Sequence, residues 1–90
     1  MSKTTYTVAN GVFRELLKEA RVAKSLTQAD VAKRLGVSQS YVSKYESGER
    51  RLDFVETAEV CKALGSSIED FAVAYSTMVT KTRRRKEAEP

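Results

Sequence analysis

Ninety residues, 41% apolar and 31% charged, suffice for about one small globular domain and not for a cleft enclosed between two. The sequence has no histidine and one cysteine, Cys61, and its longest apolar run is Phe71 to Tyr75. This excludes histidine-based acid–base catalysis, Ser-His and Cys-His nucleophiles, His- or Cys-built metal sites, an internal disulfide and a helix of the ~20 apolar residues that span a bilayer. No enzyme, metal, cofactor or small-molecule ligand is expected. No apolar stretch follows Lys3, so no signal peptide is visible, and the lone cysteine fits a reducing, cytoplasmic setting. The net charge of +4 is unevenly laid out. Basic residues dominate residues 1–51 and 81–90, while residues 52–80 carry Lys62 alone against Asp53, Glu56, Glu59, Glu69 and Asp70. A basic half beside an acidic one suits a polyanion-binding face with a separate back face, or simply an uneven solvated surface.

The only proline is Pro90, and apolar residues recur three and four apart, so the chain reads as all-α with five helices. Residues 1–10 are expected as an N-terminal arm, 11–79 as the domain and 80–90 as a basic tail. The first helix is expected from about Val12 to Lys24, with Phe13, Leu16, Leu17 and Ala20 on one face. Thr27 caps a second that runs to Leu35, with Val31, Ala32 and Leu35 inward, and Gly36 supplies its left-handed end. Ser38 caps a third, stopped by Gly48 after Ser47. Asp53 opens a fourth, with Glu56 completing a capping box, and it ends at Leu64 before Gly65. Ser67 opens a fifth, bearing Ile68, Phe71, Ala72, Tyr75 and Val79 on one side.

The second and third helices are joined only through Leu35, Gly36, Val37 and Ser38, and a short glycine turn between helices is one way to present a helix to a DNA major groove. Small Ala32 permits close approach, and Val37 and Val42 pin the pair from inside. At ~100° per residue, Gln39, Ser40, Ser43, Lys44 and Ser47 share one arc of the third helix, while Tyr41, Val42 and Tyr45 share the opposite one. Glu46 lies at the border. Gln pairs with adenine, and Lys reads guanine or phosphate. An ordinary amphipathic surface helix also has a polar face, but such a face usually carries acids.

The run from Leu26 to Arg50 (LTQADVAKRLGVSQSYVSKYESGER), continued by Ala63-Leu64-Gly65 and Ile68-Glu69-Asp70-Phe71, resembles the helix-turn-helix of the Cro/phage-repressor (XRE-like) family over about residues 12–75. The resemblance implies a five-helix lambda-repressor-like domain. It implies a sequence-specific, double-stranded-DNA-binding transcriptional regulator of prokaryotic or phage type, acting as a homodimer on a palindromic operator through recognition helix 39–47. Gln39, Ser40, Ser43 and Lys44 would face base edges. Gln28 would bond a phosphate and brace Gln39. Ser38, Tyr41, Ser47, Arg50 and Arg51 would grip phosphates. Arg21 and Glu46 match a structural ion pair between the first and third helices. Lys44 stands where some relatives carry glutamine, and Thr57 where a larger apolar residue is common, which would loosen the fourth helix.

The fifth helix has more apolar surface than five helices can cover, so it is expected to pair with its copy through Phe71, Ala74, Tyr75 and Met78. Cys61 reads as a buried small hydrophobe. Tyr45 reads as core, and Tyr41 as core edge or backbone contact. The Arg83–Lys86 run reads as a solvated tail, an extra phosphate grip, or an RNA or membrane-surface contact. The rival from another class is an adaptor or antitoxin-like interaction module on the same fold.

Overall fold

A computed structural model describes residues 3–88, with side chains over residues 7–84. These residues form α1 (Lys3–Ala23), α2 (Gln28–Leu35), α3 (Gln39–Ser47), α4 (Phe54–Ala63) and α5 (Ile68–Ala88), with no strand among them. None of the helices is long and apolar enough to cross a membrane.

The internal boundaries follow from caps. Thr27 Oγ1 accepts from the Asp30 N–H and Asp30 accepts in return from the Thr27 N–H. Asp53 and Glu56 repeat this box at the start of α4. Ser38 caps α3 by accepting from the Tyr41 N–H, and Ser67 caps α5 by accepting from Asp70. Each box satisfies two of the N–H groups that a helix start leaves orphaned. Gly36 and Gly48, at φ +74° and +92°, end α2 and α3 in the left-handed region. The turn after α1 needs the same conformation and has a serine there, Ser25 at φ +59°.

The outer ends differ from expectation. α1 begins at Lys3 rather than near Val12, so residues 3–10 of the expected arm are helical. α5 runs on through the expected tail to Ala88. The reason is mutual packing. Along an α1–α5 seam, Val12 of α1 and Val79 of α5 are buried, the Phe13 and Phe71 rings meet edge to face at 5.6 Å, and Val8 lines a shallow groove with Met78 and Thr82. A helix is stabilised more by such a face than by propensity, so the seam offsets the ~1 kcal/mol that Gly11 costs inside α1. Thr80 and Thr82 of α5 donate their hydroxyl protons to the carbonyls of Ser76 and Met78.

One core joins Leu17 of α1, Val31 and Ala32 of α2, Val42 and Tyr45 of α3, and Val60, Cys61 and Leu64 of α4 and its C-cap. Thr57 is buried as well, with its hydroxyl donating to the Asp53 carbonyl at 2.7 Å, so the polar substitution leaves no unsatisfied group behind. Arg34 ties α2 to the end of α4 by donating to the Ala63 carbonyl.

Candidate nucleic-acid interface

Val42 and Tyr45 are buried, and they fix which way α3 faces. The same rotation leaves Gln39, Ser40, Ser43, Lys44 and Ser47 exposed on the far side. Three residues, Gly36, Val37 and Ser38, separate the two helices, and the Val37 N–H closes the turn onto the Ala32 carbonyl at 3.0 Å. α3 is therefore held outward by a short, hydrogen-bonded corner.

Glu46, the only acid of α3, is turned into the protein. Its carboxylate accepts from Arg21 Nε at 2.7 Å, Arg21 Nη2 at 3.1 Å and Gln28 Nε2 at 3.0 Å. The Glu46 side chain is 5% exposed and that of Arg21 12%. Arg21 also donates to the Leu26 carbonyl, closing the turn after α1. The Glu46 hydrogen bonds push the Arg21 guanidinium's pKa further up. The consequence for the surface is an exposed α3 edge with no acid and one cation.

The loop after α3 is folded back on itself. The Lys44 carbonyl accepts from the N–H groups of Gly48 and Arg50 and from the Ser47 hydroxyl. Arg50 Nη2 donates to Glu56 Oε2 at 2.7 Å, and its guanidinium lies 4.5 Å above the Tyr41 ring, which stands edge-on to Tyr45. Glu56 in turn caps α4, and the Asp53 N–H and then Arg50 hold its carboxyl below the usual carboxylate range. Behind this loop lies an open cleft of about 410 Å³ bounded by Thr7, Asn10 and Arg14 of α1 and by Gly48, Arg50 and Arg51. No group of three or more metal-ligating His, Cys, Asp or Glu side chains occurs among the described residues.

Residues 17–71 match a helix-turn-helix family profile. An XRE-family-like protein from Pseudomonas syringae pv. tomato is 38% identical, with a TM-score of 0.80 over 86% of this chain and 94% of that one. The chain belongs to the XRE family of helix-turn-helix proteins. It is a DNA-binding transcriptional regulator and not an enzyme. Other solved structures are similar as well. The clp gene regulator ClgR of Corynebacterium glutamicum is 27% identical, with a TM-score of 0.69 over 78% of this chain and 91% of that one. The restriction-modification controller C.Esp1396I is 23% identical and shares the fold, with a TM-score of 0.75 over 81% of this chain and 95% of that one. No curated protein matches the chain.

Within this XRE fold the residues expected to read bases, Gln39, Ser40, Ser43 and Lys44, lie together and exposed at the start of α3. Arg21 and Glu46 form the bidentate pair described above. Gln28 is different: its amide N–H goes to Glu46, so it braces the ion pair and not Gln39. Ser38 uses its oxygen as a cap and Ser47 spends its proton on Lys44, which leaves the Ser38 proton available to an acceptor. Arg50 is tied to Glu56 with one of its five N–H groups. Glu56 had been legible only as a cap, yet an acid at the third position of α4 faces back toward the loop and so reaches Arg50. Arg14 of α1 also lies in the cleft behind the loop, beside Gly48. Of the Arg83–Lys86 run, Arg83 and Arg84 are exposed on α5, and the side chains of Arg85 and Lys86 lie outside the described residues.

Proposed function

We propose that the chain acts as a homodimer on a palindromic operator, with α3 of each copy in successive major grooves about 34 Å apart. The observation that carries this reading is the exposed, acid-free edge of α3. Hydrogen-bonding side chains suited to base edges cover it, and its single acid is withdrawn into an ion pair. Gln39, Ser40, Ser43 and Lys44 choose the sequence. Gln28, Ser38, Tyr41, Arg50 and Arg51 set the register on phosphates, which carry most of the affinity, while Ser47, whose proton goes to the Lys44 carbonyl, shapes the loop that presents them.

The face assigned to self-association is apolar and partly open. Phe54 is 73% exposed at the start of α4 and borders a groove with Leu52, Ile68, Phe71 and Tyr75. Met78, expected in the same contact, lines a different groove with Val8, Gly11 and Glu15 on the other flank of the α1–α5 seam. The dimer contact therefore uses Phe71 and Tyr75 with Phe54, and leaves Met78 out.

Binding-site selection from random duplexes, followed by gel shift at two salt concentrations, tests the reading. An inverted repeat with tenfold or stronger preference over random duplex is expected. Equal affinity for every selected sequence would overturn it.

A further inference from the structure

We propose that Arg14 of α1 is a phosphate contact, so that the DNA footprint of this protein extends from α3 across the loop onto α1. The inference rests on the duplex-binding reading above and adds a residue to it.

Arg14 is half-buried, lies along α1, and has no hydrogen bond or ion pair among the described residues. Its guanidinium lies over Gly48, so close that a Cβ there would stand 3.1 Å from Cζ. The glycine thus does two things: it adopts φ +92° and it leaves room for the arginine. Arg14 shares its cleft with Arg50, Arg51, Thr7 and Asn10, and no acid lines that cleft. Three arginines and no carboxylate line the cleft, so its potential favours an anion. Arg50, the obvious grip, already has Glu56 as counter-ion, whereas Arg14 has none among the described residues.

The position suits a phosphate. The N-terminal residues of a recognition helix meet base edges in the major groove, so residues packed against its far end lie toward the flanking phosphates. Gly48 is the residue at which α3 ends. A planar fork of donors is also the geometry that a phosphodiester accepts.

The test compares wild type with Arg14→Gln and Arg14→Lys on the best selected duplex over a range of salt. Arg14→Gln is expected to weaken specific and random duplexes alike, about five- to tenfold, and to lower the slope of log K against log salt by about 0.9. Arg14→Lys should keep the slope. Thr7 is exposed and lines the same cleft, so Thr7→Glu changes its charge without removing packing. It should weaken binding several-fold, which keeps the test decisive if Arg14→Gln fails to fold. Titration with inorganic phosphate alone is the second arm. Binding of the free ion that depends on Arg14, with an unchanged duplex slope, would overturn the proposal in favour of a small-anion site. A wild type that binds duplex with a salt slope that neither Arg14→Gln nor Thr7→Glu alters would overturn this inference alone. A wild type that binds no duplex would overturn the functional reading with it.

Discussion

Glu46 shows how one side chain sets both stability and surface. With Arg21 and Gln28 around it, the carboxylate is fully hydrogen-bonded in a partly dry site. Glu46→Ala would leave Arg21 without its partner and is expected to cost about 3 kcal/mol, read as a shift in the denaturation midpoint. Lys44 faces outward, so Lys44→Ala should leave the midpoint within about 0.5 kcal/mol. It should still cost about 1–3 kcal/mol on the best operator and relax base choice, measured by repeating the site selection. The α3 edge was legible because helical periodicity alone fixes which residues share a face. Arg14 was not, because its contact with Gly48 depends on how α1 crosses the loop, and no local pattern encodes that crossing. The Gln28 contact was hidden for a related reason: an amide has several acceptors in reach, and only the assembled fold shows that Glu46 lies nearest.

The turns make a matched pair of cases. Gly36 and Ser25 both occupy the left-handed region, which costs a residue with a Cβ about 1–2 kcal/mol. A Cβ on Gly36 would meet nothing within 4 Å, so Gly36→Ala should show the backbone cost alone, lowering stability by about 1 kcal/mol. Ser25→Gly should raise stability by a similar amount through relief of the same strain. Thermal melts of the two variants check both signs. The capping boxes give a pH signature. Asp30 and Glu56 are held below their ordinary values near 4, Asp30 by the backbone and side chain of Thr27 and Glu56 by the Asp53 N–H and Arg50. A depressed carboxyl contributes stability that is complete above its unfolded pKa and vanishes as pH falls through its folded one. Asp30→Asn and Glu56→Gln should therefore lower Tm at pH 6 and flatten its fall below about pH 4. Each cap could be read from sequence because capping chemistry is confined to four consecutive residues. The far ends of α1 and α5 could not, because their helicity comes from each other across most of the chain's length.

At the scale of the whole molecule, the seam divides the apolar surface into two flanks. Self-association through the Phe54, Phe71 and Tyr75 flank predicts that Phe54→Asp gives a monomer in sedimentation equilibrium, with weaker and less cooperative operator binding. Met78→Asp, on the other flank, should leave the dimer intact. That Phe71, Tyr75 and Met78 share one apolar helix was legible from spacing, but the split appears only once α1 is laid along it. Cys61, 1% exposed and alone, has a consequence of its own. Burial also raises its pKa, so almost no thiolate forms while the body is closed. An aromatic disulfide reagent should then react at the pace of transient opening, and an operator duplex should slow that reaction. The protein carries its own clock for how often its interior meets water.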